Sequence, residues 1–397
     1  MIVHIIPDNS FLDVVIPLLL EVSQDQIFVI LLDKETETDS TVGIKQYRHK
    51  VRFVGIDEVR NFCRSMSRHG CNPIVIFHCL TMRNAPVIKE LSGEFALGWV
   101  PWGGCDIYNH LPFHGRLVKT FLYEMLYESL HQKCSLLLHL IEHGVLYRLL
   151  PILDPYVRIR RLFRWCFALT EEDYRQYHNK FPGSLFPASF SEISYWCYDS
   201  DSLPKQIKVL DDEQSRHPNV MIGNMGSPKY NHIEVFDVLK RIELQQNINI
   251  YASFGYGEKK YSDYVITQGK KRFGAKFSPI ISWMSKDDYF NLISSCGIYI
   301  ANHIVQGGIG TMQLALMAGC KLYLNEKGAT YKIFKKIGFI VFPLPKSPDK
   351  NFLAQLSLEQ KKHNQLLCLD YWGHEKVMQR FQRMVEICER ESMANGV

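Results

Sequence analysis

The chain has 397 residues, 46% of them hydrophobic, with 46 Lys and Arg against 41 Asp and Glu and a formal net charge of +5. That length and apolar content suit two domains, each burying its own core. So small a charge excess is no ground for a nucleic-acid-binding protein, and no uncharged apolar window is long enough to cross a bilayer.

The N-terminus, MIVHIIPDNSFLDVV, lacks a basic leader and is interrupted by Asp8 and Asp13, so no signal peptide is expected. Apolar runs and helix patterns then alternate. Strands are expected at 2–6, 27–32, 51–56, 74–80 and 95–100, with helices at 11–22, 59–69 and 85–93. Pro17 marks a start or kink in the first helix, and Gly93 suits the end of the third. From 112 to 180 the alternation gives way to long helices rich in aromatics and arginine, among them YVRIRRLFRWCF at 156–167. A polar stretch with two prolines, 199–219, suits a domain boundary. The rhythm resumes with strands at 220–224, 248–254, 277–283, 297–302 and 321–325 and helices at 232–243, 262–274, 286–296 and 311–318, before a helical tail over 354–395. Strands alternating with helices of this length predict parallel sheets covered on both faces, here two doubly wound α/β domains with a helical insertion. The eleven cysteines, irregularly spaced and without a C-x-x-C pair, read as free thiols in a reducing compartment.

Two strand-to-helix turns carry the chemistry. HIVQGGIGTMQLALMAG, 303–319, sets Gly307, Gly308 and Gly310 between a strand and a helix. A helix N-terminus offers unpaired N–H groups and a partial positive charge, and glycine lets an anion come close to the backbone. Gln306 and Thr311 add neutral donors. The pattern is not G-x-x-x-x-G-K-[ST], which disfavours a P-loop hydrolase. The second turn, IGNMGSPKYNHIEVF at 222–236, repeats the order with Gly223, Asn224, Gly226, Ser227, Asn231 and His232. Two such turns in one domain suit a diphosphate held from two sides, while the same glycines and asparagines also serve ordinary tight turns. Tyr256, in the glycine-rich loop after strand 248–254, can stack on a nucleobase. The first strand has no G-x-G-x-x-G after it, which argues against a dinucleotide enzyme.

In the N-terminal half, GWVPWGGCDIYNH at 98–110 places Trp102 beside two glycines, a suitable floor for a sugar ring. Asp106 is the first candidate for a general base and His78 the second; turn capping and a satisfied buried histidine are the plain alternatives. Arg158, Arg160, Arg161 and Arg164 lie among Trp, Phe and Leu, a composition that suits an anionic lipid surface as well as a helix with solvated arginines.

IGNMGSPKYNHIEVFDVL, QGGIGTMQLALMAG followed by LYLN, and WGGCDIY together resemble glycosyltransferase family 56, over most of the chain and most strongly over 218–340. That family contains the transferase that moves 4-acetamido-4,6-dideoxygalactose from its TDP-activated form to a polyprenyl-diphosphate-linked glycan in enterobacterial common antigen synthesis. The resemblance implies GT-B architecture: two Rossmann-like domains facing a cleft, 1–205 for the acceptor, with the insertion 112–180, and 206–375 for the nucleotide sugar, with a helix at 376–397 packing back on the first domain. It implies donor contacts from Gly223, Asn224, Gly226, Ser227, Asn231, His232, Gln306, Gly308, Gly310, Thr311 and Asn325, and acceptor contacts from Trp102, Gly103, Asp106 and Tyr108. It further implies no bound metal or other cofactor and attachment to the cytoplasmic face of a bacterial membrane; with no RNA-binding signature in the sequence, no nucleic-acid partner is expected. Gly104–Cys105, Met225 and the loop 251–264 depart from the family pattern, which leaves the donor sugar and acceptor open. An epimerase acting on the same nucleotide sugars and a non-catalytic membrane-surface module are the competing expectations.

Overall fold

The structure is a computed structural model that describes residues 1–6, 12–32, 47–67, 72–80, 84–102, 115–127, 134, 138, 141, 155–180, 189–195, 197, 219–242 and 248–394. It divides into two units. The first comprises Met1–Leu111, His139–Cys197 and His374–Val397, the second Pro112–Leu138 and Tyr198–Gly373. The segment from 112 to 138, expected in the N-terminal domain, therefore belongs with the C-terminal unit.

The first unit is built on seven parallel strands: β1 (Ile2–Ile6), β2 (Gln26–Leu32), β3 (Val51–Gly55), β4 (Ile74–His78), β5 (Leu97–Val100), β6 (Trp165–Ala168) and β7 (Ser189–Glu192). Their order in the sheet is β3-β2-β1-β4-β5-β6-β7. Strands β1, β4 and β5 are buried along their whole length, as continuous apolar runs require of a sheet covered on both faces. Helix Leu12–Val22 keeps Pro17 inside it, in the second turn. The 21-residue helix His374–Ala394 covers the same sheet, inserting Val377, Phe381, Met384, Val385 and Cys388 into a core with Ile16, Leu19, Phe28 and Ile193.

The stretch 156–167, expected as one helix, is two elements. The helix ends at Arg160, the chain turns, and Trp165–Ala168 becomes β6, buried at all four positions. Trp165, Cys166 and Phe167 have the bulk that a pleated, covered surface accepts, and here that outweighs the helical spacing of the arginines. A second correction concerns the cysteines. Eight described cysteines are free, but Cys79 is disulfide-bonded.

The second unit has six parallel strands: β8 (Asn219–Ile222), β9 (Ile250–Ser253), β10 (Phe277–Ile280), β11 (Cys296–Ala301), β12 (Lys321–Leu324) and β13 (Phe342–Pro343). The order is β10-β9-β8-β11-β12-β13. Chain order thus reverses between β8 and β11, which pair directly through residues such as Met221 with Tyr299 and Ile222 with Ile300. Ligands of open α/β sheets sit at the carboxyl ends of strands at such a reversal.

Helix Val118–Tyr127 is tied to this unit by Asn231, which ends the turn after β8, and by Glu234, in the first turn of helix His232–Leu239. The Glu234 carboxylate accepts the backbone N–H groups of Lys119 and Thr120 at 2.8 and 2.9 Å and the Thr120 hydroxyl at 2.6 Å, capping the helix N-terminus. Asn231, left-handed at φ 52°, donates to the carbonyls of Gly115 (2.7 Å), Asn302 (2.9 Å) and Lys229 (3.1 Å) and accepts the Leu117 N–H at 2.7 Å. The Tyr123 ring stacks on Tyr264, centroids 4.0 Å apart.

Asn231 is fully buried, so its replacement strands four polar groups at once. Asn231→Ala should lower stability by about 3 kcal/mol, read as a fall in the urea midpoint; Asn231→Gly, which restores the left-handed backbone, should recover only part of it.

Candidate functional site

The two glycine turns leave the carboxyl ends of neighbouring strands and meet. Gly223, at φ 57°, donates its N–H to the Ile300 carbonyl at 2.9 Å, extending the β8–β11 pairing by one residue. The next residue, Asn224, lies against Gly308: a Cβ on Gly308 would sit 2.7 Å from Asn224 Oδ1. One on Gly307 would sit 2.8 Å from the Tyr230 hydroxyl. These approaches, together with the positive φ of 62° at Gly308, explain why glycines stand at both positions.

Gly308 is also the N-cap of helix Ile309–Met317, and no side chain caps that helix. Its first turn carries no acidic residue, and the N–H groups that open a helix have no acceptor inside it. Ile309 is half-buried, Gly310 and Thr311 are buried, and Gln306 is buried just ahead of the turn. The partial positive charge of this helix end therefore falls on the place where β8 and β11 finish.

The facing turn is held open by its own bonds. Gly226 donates its N–H to the Tyr256 carbonyl at 3.0 Å and accepts from the Glu258 N–H at 2.7 Å, which fastens it to the loop after β9. A Cβ at Gly226 would run into the Ser262 hydroxyl and lie 3.2 Å from the Phe254 ring. The Asn224 amide donates to the Tyr256 hydroxyl at 2.7 Å, while the Tyr256 ring stays exposed. Ser227 is buried and its carbonyl accepts the Tyr230 N–H at 3.0 Å. Asn325, after β12, donates to Asn302 Oδ1 at 2.9 Å and accepts from Lys327 N–H at 3.1 Å, so it stands one strand away.

Gly223, Asn224, Gly226, Ser227, Tyr256, Gln306, Gly308, Gly310 and Thr311 thus come together around the β8–β11 reversal. Two others named from the sequence turn inward. Asn231 is spent on protein carbonyls and an N–H, as described above. The fully buried His232 meets the Tyr261 hydroxyl at 3.2 Å through Nδ1, and its Nε2 backs onto Gly223, where an added Cβ would be 3.2 Å away. Both residues shape the turn from behind rather than touching what lies in front of it. Burial pushes the His232 imidazole down to about 3.

Sequence reasoning missed two residues here. Tyr230 is buried against Gly307, and His303, buried directly after β11, lies with its ring 4.9 Å from that of Tyr230. Burial pushes His303 down to about 4, the Gly307 backbone opposing the shift. The available signal was position alone: Asn302 and His303 sit between a buried strand and a glycine cluster.

In the first unit Trp102, Tyr195, His78, His4 and Gln26 form one hydrogen-bonded chain. Gln26 donates its amide to the carbonyls of Leu19 (2.5 Å) and Ser23 (2.9 Å), so its Oε1 faces His4 Nε2 at 2.8 Å. His4 therefore carries its proton on Nε2. Burial lowers His4 to about 4 and His78 well below its ordinary value, so both rings are neutral near pH 7. His4 Nδ1 is then an acceptor and takes the His78 Nε2–H at 2.9 Å. His78 Nδ1 in turn takes the Tyr195 hydroxyl proton at 2.6 Å, and the Tyr195 oxygen accepts the Trp102 indole N–H at 3.0 Å. Each proton has one place.

This bears on the expected bases. His78 is 1% exposed and both its nitrogens are engaged, so no lone pair is left for an incoming hydroxyl. What the chain of bonds fixes is the half-buried Trp102 indole, set edge-on to Tyr195 at 5.7 Å. Asp106, Gly103 and Tyr108 lie outside the described residues. Of the four arginines, Arg158, Arg161 and Arg164 are exposed, but Arg160 is 1% exposed and belongs to the interior, where it cannot touch a lipid surface.

Residues 189–355 match the family described as 4-alpha-L-fucosyltransferase, glycosyl transferase group 56. No curated protein matches the chain. Among solved structures, HepE of Anabaena in complex with UDP and glucose is similar at a TM-score of 0.61 and 10% identity, over 97% of this chain and 100% of its own. The α,α-trehalose 6-phosphate synthase of Burkholderia multivorans is similar at 0.62 and 9% identity, over 100% and 99%. The UDP-forming α,α-trehalose-phosphate synthase of Burkholderia xenovorans is similar at 0.59 and 10% identity, over 98% and 99%. At such identities the likeness shows the fold, which is GT-B.

Four imidazoles, His4, His78, His232 and His303, are held neutral by burial below their ordinary value of 6.5. A group whose folded value is depressed contributes its full stability above its unfolded value and loses it as pH falls, at about 1.4 kcal/mol per pH unit. Asp173, which burial pushes up to about 7, works in the opposite direction, one group against four. The urea midpoint should therefore fall between pH 6.5 and about 4; a flat profile there would show the imidazoles to be solvated.

Proposed function

We propose that the chain, whose residues 189–355 match glycosyl transferase group 56, is a glycosyltransferase that moves a deoxyamino sugar from a nucleoside diphosphate to a lipid-linked glycan. The donor of this reading is TDP-4-acetamido-4,6-dideoxygalactose and the acceptor a polyprenyl-diphosphate-linked saccharide of a bacterial surface polysaccharide. The observation that carries it is the contact of Asn224 with Gly308 at the point where strand order reverses. That contact aims an uncapped helix N-terminus and the turn after β8 at one place, as a diphosphate requires. HepE, on the same fold, is a complex with UDP.

When the bond between the anomeric carbon and the diphosphate oxygen breaks, negative charge grows on the leaving nucleoside diphosphate. Fixed N–H dipoles placed where that charge develops stabilise the transition state without reorganising. Gly308 and Gly310 admit the phosphates, Thr311 and Gln306 donate to them, and Gly223 to Ser227 close the other side. The helix field and N–H groups meet the diphosphate charge, so this reading assigns no resident metal. The acceptor hydroxyl attacks the anomeric carbon and gives its proton to a base. With both nitrogens of His78 committed, Asp106 is the base of this reading, and direct displacement inverts the anomeric centre. Trp102, with Gly103 and Tyr108, supplies the acceptor floor.

A lipid-linked acceptor places the reaction at a membrane. No helix among the described residues is long and apolar enough to cross one. Surface attachment to the cytoplasmic face through Arg158, Arg161 and Arg164 is the form proposed here, each cation adding about 1 kcal/mol near an anionic surface.

Thr311→Val should weaken TDP and UDP binding roughly tenfold by calorimetry, with the unfolding midpoint unchanged; equal affinity would remove the helix end from the site. Transfer itself is tested by nucleotide release from the TDP-sugar on adding a polyprenyl-linked acceptor, and release that ignores the acceptor speaks against transfer. Replacing Arg158, Arg161 and Arg164 by Gln should reduce sedimentation with phosphatidylserine vesicles at low salt, while the exchange of Arg160 should act on stability instead.

A further inference from the structure

Trp283 is 79% exposed and Ile281 69%, both on the short loop between β10 and helix Lys286–Ser294. A single exposed apolar side chain is ordinary; the position of this one is not. β10 is the edge strand beside β9, and its loop leaves from the same carboxyl ends as the glycine turns. The loop after β9 abuts it: a Cβ on Gly255 would lie 3.2 Å from the Ser282 carbonyl oxygen and 3.7 Å from the Trp283 nitrogen. The residue after Gly255 is Tyr256, whose hydroxyl is tied to Asn224 and whose ring is 55% exposed.

Gly308, Asn224, Tyr256 and Trp283 therefore follow one another along the ends of β11, β8, β9 and β10. Three strand spacings of about 4.8 Å make this a track of roughly 14 Å, the scale of a nucleoside diphosphate laid out from its terminal phosphate to its base. The phosphate end of the track is polar and buried, and the far end is aromatic and open.

We propose that Trp283 is the stacking platform for the nucleobase of the donor, reached past the Tyr256 ring. The proposal rests on reading the glycine turns as the diphosphate site and adds to it the ligand's other end. An indole face accepts any base, because every base has a π-face. Trp283 then supplies affinity without choosing thymine over uracil, and that choice falls to the sugar and to polar contacts elsewhere.

The test compares wild type, Trp283→Ala and Trp283→Phe against UDP, TDP and inorganic pyrophosphate by calorimetry, with thermal unfolding as a check on folding. Trp283→Ala should weaken UDP and TDP alike by roughly ten- to a hundredfold, leave pyrophosphate affinity and unfolding unchanged, and abolish the quenching of tryptophan fluorescence by UDP. Trp283→Phe should keep most of the affinity. If UDP binds Trp283→Ala as it binds wild type, the platform is refuted while the diphosphate site stands. If wild type binds pyrophosphate as tightly as UDP, the base has no platform at all. If wild type binds neither, the diphosphate reading and this proposal fall together.

Discussion

Parallel pairing of β8 with β11 is the constraint on which the C-terminal unit depends. The two strands are 73 residues apart from the end of one to the start of the other, yet Met221 pairs with Tyr299 and Ile222 with Ile300. Because the chain winds outward from this pair in both directions, the helices after the two turns pack on opposite faces of the sheet, His232–Leu239 with Ile222 and Ile300 and Ile309–Met317 with Met221 and Tyr299, and a reversal of this kind leaves an opening at the strand ends. All close packing there follows: Asn224 on Gly308, Tyr230 on Gly307, His232 behind Gly223. A side chain on either glycine would push the turns apart and turn the helix N-terminus away from the opening.

The same turn also does structural work. The residues behind it, Asn231 and Glu234, anchor helix Val118–Tyr127 through its N-terminal N–H groups and the loop before it. An excursion out of the N-terminal half of the sequence is thereby bound to the C-terminal unit. A left-handed backbone is costly for a non-glycine residue, and four hydrogen bonds, to Gly115 and Leu117, to Asn302 and to the neighbouring Lys229, hold it. A site whose back wall is so tightly bonded can keep its front N–H groups aimed without a ligand, which is the condition for electrostatic preorganisation.

The N-terminal unit has its own reversal, between β1 and β4, and there the structure puts a polar network into an apolar sheet. Two neutral histidines in a core cost free energy unless each nitrogen is satisfied. Gln26 and Tyr195 supply the missing acceptor and donor, and the series ends on the Trp102 indole N–H, which donates to Tyr195. The arrangement removes His78 from the list of bases and gives it a different task, holding the indole in one orientation.

The sequence by itself determined the alternation of strands and helices, the two parallel sheets and the two glycine turns, because each rests on local periodicity and on backbone freedom at particular residues. It misread 156–167, where arginine spacing looked helical and Trp165–Ala168 formed a strand, since only the neighbouring β5 decides whether such bulky residues pair. It could not separate Asn231 and His232, which face inward, from Asn224 and Ser227 in the same turn, because a reversal of direction within eight residues leaves no periodic trace. Nor could it tell Arg160 from Arg158: two positions along the helix, about half a turn, bury the first and expose the second. Which strands are neighbours, and therefore which turns meet, was decided by tertiary structure alone. Pairing between distant strands is chosen by the packing of whole faces, and no short stretch of residues carries that information.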